Sequence, residues 1–303
     1  VKVISCVDPN SDRLRQAQEI CPIKKGYASS QEALEDDQFE GVVIASPTSM
    51  HVEAALETAK SGAHLFIEKP ISHNLEQLEK LINITRDNNI KTFVAYCHRF
   101  IPSVVRLKEM LDNKLLGSAY AFNMNWGSYL PNWHPWEDYR HFYMAKKSQG
   151  GGALLDESHG IDLIRHLFGE VSSVMGDVGQ ISHLEIDSDD WAAMLLRMKS
   201  GVRGKAHFDL MRHDPQIKLE ILCEEGSITW DRVDHKITLY RAEDKKHEII
   251  PYNLDDTLSM YDAETKHFIN CVDGKEDSLI DLEDGFKTMQ IIDAVFKSSN
   301  RCS

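Results

Sequence analysis

The stretch Gly62-Ala63-His64-Leu65-Phe66-Ile67-Glu68-Lys69-Pro70 decides how this chain folds. Ala63 to Ile67 reads as a short apolar strand, and a carboxylate, an ammonium and a proline follow it with no turn residue between. Ligands of open parallel sheets bind just beyond the carboxyl ends of the strands. A lysine at that point is a candidate for holding a substrate oxygen. Pro70 fixes its own φ at about −65° and keeps Lys69 out of the α region, so the backbone that aims the amine is stiff.

Outward from this strand, strand and helix patterns alternate. Val1 to Val7 is a β-branched run, and Ser11 to Glu19 reads as a polar helix with Ser11 as its N-cap. Gly41 to Ala45 is continuously apolar, the pattern of a strand buried on both faces. A helix from Ser49 puts Val52, Ala55, Leu56 and Ala59 on one face and stops at Gly62. Leu75, Leu78, Leu81 and Ile82 mark the next helix, Lys91 to Ala95 the next strand, and Pro102 opens a helix ending near Gly117. Such alternation predicts a parallel, doubly wound α/β sheet with right-handed crossovers over residues 1–118.

From residue 119 to residue 303 the period changes. Tyr120 to Trp126 alternates like a half-exposed strand, and an aromatic loop follows from Tyr129 to Tyr143. Gly150-Gly151-Gly152 leads into a helix from Glu157 to Phe168. Val171–Ile181, Trp191–Met198, Val202–Leu210, Ile217–Leu222, Ser227–Trp230 and Ile237–Tyr240 are alternating runs between turn signals. They predict an α+β domain with one large, mostly antiparallel open sheet. Two helices close the chain.

With 303 residues, 42% hydrophobic and 27% charged, the chain is long enough for two cores. Its formal charge of −14 argues against nucleic acid or an anionic membrane as partner. No apolar run approaches the length of a membrane span, and VKVISCVDPN lacks the basic flank and apolar core of a signal peptide. Six cysteines without CxxC spacing argue against a zinc site or a disulfide framework, and suit a reducing cytoplasm. Cys6 and Cys97, in strand-like runs, read as small core residues.

Four constellations could carry chemistry. Ser46-Pro47-Thr48, with His51 following, lies at a strand end and a helix start. It reads either as a seat for dinucleotide phosphate or ribose, or as a proline turn with Thr48 or Ser49 capping the helix. Asp8 ends the first strand, where a carboxylate would accept a ribose diol, or it simply makes an Asp-Pro-Asn turn. In Gly150-Gly151-Gly152-Ala-Leu-Leu-Asp156-Glu-Ser-His159-Gly-Ile-Asp162, glycines permit close backbone approach to a ligand. Asp156 and His159 share a helix face, and histidine exchanges protons near neutral pH. The bland alternative makes Asp156 an N-cap and Asp162 with Arg165 a surface pair. Finally, Trp133, Tyr139 and Arg140 in the aromatic loop offer stacking faces and an anion clamp, or pack a small core of the loop's own.

Together these residues resemble the Gfo/Idh/MocA oxidoreductases. The match rests on Asp8, SPTSMH at 46–51, GAHLFIEKP at 62–70, AYCHRF at 95–100 and GGGALLDESHGID at 150–162. The resemblance implies a Rossmann-type domain, a C-terminal domain with a large sheet, and NAD (NADP being the alternative) as cofactor. It implies a hydride moved to or from a carbinol of a sugar, polyol or nucleotide sugar. Lys69 would hold the reacting oxygen, and His159 would act as acid and base. Asp8, Ser46, Pro47, Thr48, His51, Glu68 and Lys69 would face the cofactor, with His98 and Arg99 at its nicotinamide end. Asp162 would be structural, and Trp133, Tyr139 and Arg140 would face substrate. Relatives pair as homodimers or homotetramers through the open face of the C-terminal sheet, and no metal is implied. Asp156 stands three residues before His159, where many relatives place an aspartate four before. The chain shows no glycine before Gly26, so it reads as starting at the family's second strand, without the Gly-rich turn. That turn's absence favours the alternative of a non-catalytic binding or regulatory member.

Overall fold

A computed structural model describes residues 4–302, apart from the side chains of residues 254–257 and 302. Its elements run in order β1 (Ser5–Val7), α1 (Ser11–Ile20), β2 (Lys25–Tyr27), α2 (Ser30–Asp36), β3 (Gly41–Ile44), α3 (His51–Ser61), β4 (His64–Ile67), α4 (Leu78–Asp87), β5 (Thr92–Val94) and α5 (Pro102–Asp112). The second part holds β6 (Ala119–Gly127), α6 (Ala153–Asp156), α7 (Ser158–Phe168), β7 (Val171–Gly179), β8 (Trp191–Met198), β9 (Arg203–Asp209) and β10 (Gln216–Cys223). It ends with β11 (Gly226–Asp231), β12 (Lys236–Arg241), β13 (Lys246–Pro251), α8 (Leu254–Val272) and α9 (Leu282–Cys302).

Among the described residues, the first part forms two parallel sheets, β1-β2 and β3-β4-β5. The expected strand at Val1 to Val7 is seen from Ser5; Val1 to Val3 lie outside the described residues. β3 lies at the edge of its sheet, and Val43 is 63% exposed, so the strand predicted to be buried on both faces is not. β4 and β5 are buried: Leu65, Ile67, Phe93 and Val94 reach 0% exposure. Asn10, not Ser11, caps α1, because its side chain accepts from the amides of Asp12 and Arg13. Gly62 ends α3 in the left-handed region at φ 83°, where a Cβ would be strained. Cys97 is buried as expected, but Cys6 sits half-buried on the short β1.

β6 to β13 form one sheet in the order β13-β12-β11-β10-β6-β9-β8-β7. Every pair is antiparallel except β6 with β9. Its inner face carries Phe122, Met124, Trp126, Phe208, Leu219, Ile221 and Trp230, all buried. These residues join the β4–β5 core in one continuous apolar cluster. α7 and α9 close this face, α9 packing along β7. The loop aromatics Tyr129, Trp133, Tyr139 and Tyr143 pack on a satellite core of Leu130, Phe142, Met144, Ala153, Leu184 and Leu210.

Three short elements escape the sequence pattern. β2 spans only Lys25–Tyr27, and α2 buries one residue, Ala33. β13 is an edge strand that keeps most of its side chains in solvent, so it has no apolar alternation to read.

Candidate active site

Lys69 leaves the carboxyl end of β4 and lies against α6. Its ammonium donates to the Asp156 carbonyl at 2.7 Å and lies 3.6 Å from the Asp156 carboxylate. Burial opposes its charge, but Asp156, Glu157 and Glu68 outweigh burial and hold its pKa above the ordinary value. Lys69 is therefore a fixed cation with two N–H groups left over. The Tyr143 hydroxyl donates to the same Asp156 carboxylate at 2.9 Å. Asp156 is the last residue of α6 rather than the N-cap of the longer helix.

Glu157 fills the break between α6 and α7 and is buried. Burial first, then the adjacent Asp156, push its carboxyl well above the usual range, against the pull of Lys69 and Arg232. Glu68 is also raised by burial, and it accepts from the Lys69 amide at 3.2 Å. Glu264 on α8 reaches about 8, from burial and then the charge of Glu68.

The His98 and His159 rings stack at 4.1 Å and 16°, with Trp126 at the end of β6 stacked on His98 at 5.0 Å. Both imidazoles are buried, and both Nδ1 atoms lack a hydrogen-bond partner. Burial drives both pKa values well down, helped at His98 by Arg232 and Lys69, and at His159 by His98, Lys69 and Arg232. Both rings are neutral near pH 7.

The stack is held by an ion-pair lattice one residue away. Arg99 forks onto Asp162 at 2.8 and 2.5 Å and reaches Asp284 at 2.6 Å. Arg165 bonds Asp284, Glu170 and Thr288, each at 2.9 Å. His159 and Asp162 are one turn apart on α7, so the fork that fixes Asp162 on Arg99 also fixes His159 on His98. Asp162 and Arg165 are both buried, which corrects the reading of a surface pair. Arg99 is thus engaged by carboxylates rather than left free toward a cofactor.

His51 is buried, with Nδ1 2.9 Å from the Pro70 carbonyl and Nε2 2.7 Å from the Ser46 carbonyl. It ties the ends of β3 and β4 together. Thr48 is buried in the short turn Thr48–Met50, which makes no side-chain cap. At Gly150 (φ 83°) a Cβ would lie 2.8 Å from His73 and 2.9 Å from Thr48; at Gly152 (φ 123°) it would lie 2.2 Å from Asp189. The glycines expected to admit a ligand instead admit protein, seating the α6 loop on the β3 turn. Asp8 ends β1 and accepts from the Asn10 amide at 2.7 Å. Trp133 donates to Ser128 at 2.6 Å, and the Tyr139 hydroxyl accepts from the Glu185 amide at 3.2 Å. Arg140 pairs with Asp138 and Glu185.

Residues 1–96 match the oxidoreductase family model with an NAD-binding Rossmann fold, and residues 104–229 match the GFO/IDH/MocA C-terminal domain. The chain belongs to the GFO/IDH/MocA family. It is 28% identical over 288 residues to a myo-inositol 2-dehydrogenase of Thermotoga maritima, covering 92% of this chain and 83% of that one. It is 28% identical over 296 residues to a scyllo-inositol 2-dehydrogenase (NAD(+)) of Bacillus subtilis, covering 93% and 82%. The fold superimposes with a TM-score of 0.87 on levoglucosan dehydrogenase in complex with NADH, at 21% identity, covering 99% of this chain and 88% of that one.

For this GFO/IDH/MocA chain the site keeps buried polar atoms that fit a dinucleotide's polar groups. The Ser46 hydroxyl at the end of β3 is buried without a partner, as are the two Nδ1 atoms beyond Lys69. Cys97, His98 and His159 bring donor atoms within 4.8 Å of one another. The stacked rings keep the imidazole lone pairs in nearly parallel planes, so they cannot converge on one ion at about 2.0–2.1 Å. Sequence reading placed Tyr143 among the aromatic-loop candidates but did not single out Trp126, Glu157, Arg232 or Glu264. Glu157 adjoins Asp156 and was open to notice; Arg232 and Glu264 carry no local signal, because only the fold brings them to the cleft.

Proposed function

We propose that the protein is an NAD(P)-dependent dehydrogenase that moves a hydride between nicotinamide and the CH–OH carbon of a sugar-like molecule. One observation carries the residue roles: a fixed lysine cation at a parallel strand's carboxyl end, beside a buried, neutral, unpartnered histidine. Ser46, Thr48 and Glu68 border the dinucleotide's place at the β3 and β4 ends, and His98 borders its nicotinamide end. A bound nicotinamide supplies the hydride acceptor or donor.

The roles of the chain's own groups follow from their charge states. Lys69 is too firmly protonated to be the base. Its free N–H groups hold the reacting oxygen and stabilise negative charge developing there. His159, neutral with a free ring nitrogen, accepts the hydroxyl proton in oxidation and returns it in reduction. Its low pKa makes the imidazolium a strong acid, so the proton passes on readily. Asp156, steadied by Tyr143, fixes Lys69 on the oxygen side of the cleft.

The same reading has copies pair through the outer face of the large sheet, where Met175, Leu195 and Leu222 are exposed. Five described cysteines are free thiols, which suits a reducing compartment such as cytoplasm. Among the described residues no helix is long and apolar enough to cross a membrane.

Lys69→Ala tests the proposal against a panel of polyols and sugars. The expected loss is about 100- to 1,000-fold in kcat/KM, with NADH binding, followed by fluorescence, retained. Wild-type turnover by the variant would sink the assignment.

A further inference from the structure

Arg232 begins the turn between β11 and β12 and is half-buried. Its amide donates to the Ile217 carbonyl at 2.9 Å, one step past the Lys218–Asp231 pair. Ile217 in turn lies opposite Trp126. Directly paired residues share a sheet face, so Trp126, Ile217 and Arg232 form one cross-strand row on the inner face. Two strand spacings put Arg232 roughly 10 Å along the row from Trp126, the residue stacked on His98.

Among the described residues the guanidinium has no hydrogen-bonded counter-ion, although its charge is felt by the buried Glu157 carboxyl. Arg99, Arg140, Arg165 and Arg212 all pair with carboxylates. Among the described residues, Arg232 makes no side-chain hydrogen bond or ion pair. The neighbouring Asp231 does not neutralise it: that carboxylate lies 3.7 Å from Lys218 and accepts from the Asp234 amide at 3.0 Å. The turn itself is well seated. Trp230 donates to Ser103 at 3.0 Å, and the Tyr252 hydroxyl donates to the Asp231 carbonyl at 2.9 Å. After burial, the charge of Arg232 is among the causes that lower both stacked histidines, so it acts on the reacting end of the cleft.

We propose that Arg232 is a specificity residue of this cleft, whose guanidinium receives an oxyanion substituent, carboxylate or phosphoryl, on the sugar-like substrate. The proposal rests on the dehydrogenase reading above. The oxyanion is the substrate's rather than the dinucleotide's, because Arg232 approaches from the large sheet. The dinucleotide's phosphates belong at the ends of the parallel strands. A half-buried guanidinium without a partner has lost hydration that a planar or tetrahedral oxyanion restores through paired N–H bonds. A neutral sugar's hydroxyls restore less of it, through single bonds without the opposite charge, so the arginine favours anionic substrates over neutral ones.

The test titrates D-glucuronate, D-glucose 6-phosphate and D-glucose into the NADH-loaded protein by calorimetry at matched ionic strength. At least one anionic sugar is expected to bind at least about 10-fold more tightly than glucose. Which of the two does so identifies the substituent. Arg232→Ala is expected to remove that preference with a loss of about 10- to 100-fold in the anion's affinity, and Arg232→Lys to restore part of it. In turnover the loss falls on KM rather than kcat. Glucose binding as tightly as both anions, or a preference that survives Arg232→Ala, overturns the proposal. Turnover separates the two claims: a wild-type protein that oxidises or reduces no sugar or polyol with NAD(H) or NADP(H) defeats the dehydrogenase reading, whereas the anion preference judges Arg232 by binding alone.

Discussion

Replacing Glu264 with glutamine stabilises the protein by an amount that grows with pH. Glu264 is 3% exposed on α8, its Oε2 has no hydrogen-bond partner, and its pKa is pushed up to about 8 from an ordinary 4.5 by burial and then by Glu68. Between those limits the native state keeps a proton that the unfolded chain has released. Native stability therefore falls as pH rises from 4.5 toward about 8, and the penalty levels off above that. Each pH unit in the window costs about 1.4 kcal/mol, so by pH 7 the ionisable carboxyl opposes folding by about 3 kcal/mol. Glutamine keeps the shape and cannot ionise. It also changes local hydrogen bonding, but by an amount independent of pH, so the slope is the readout. Urea unfolding of both proteins at pH 5, 6, 7 and 8 should give curves of stability against pH that diverge steadily. Parallel curves for wild type and Glu264→Gln across that range would refute the reasoning, because they would mean that Glu264 ionises as if in water.

Two further outcomes follow from the site's supports. Arg99→Met should destabilise the fold by about 3–5 kcal/mol in urea unfolding, because the buried Asp162 carboxylate would lose its fork, while Asp284 keeps Arg165; a loss under about 1 kcal/mol would show that the lattice is not what holds the stack. Tyr143→Phe should lower kcat/KM about 10-fold while leaving the melting temperature nearly unchanged, since it removes only the hydroxyl bond to the Asp156 carboxylate; wild-type kinetics would take Tyr143 out of the site.

The family's motifs were legible because they are local. A strand running into Glu68-Lys69-Pro70, a Gly62 stop and a Pro102 start each act within a few residues, through backbone geometry that the residue type fixes. The alternating runs of the second half were legible for the same reason: a half-buried strand must alternate. Sequence also marked Lys69 and His159 as chemistry-bearing, one by its strand end and the other by its motif.

What each would do chemically was decided only by tertiary packing. Lys69 is a fixed cation because α6 brings Asp156 and Glu157 from far along the chain, and a lysine at a strand end in water would carry no such constraint. His159 is neutral because His98 and Trp126 cover it, and Arg99 looked like a cofactor contact until Asp162 and Asp284 closed on it. Arg232 and Glu264 sit in a hairpin turn and a helix whose sequences announce nothing. Charge, burial and pairing depend on neighbours distant in sequence, so the chain alone determined which residues were available for chemistry, and the fold decided their protonation and their partners.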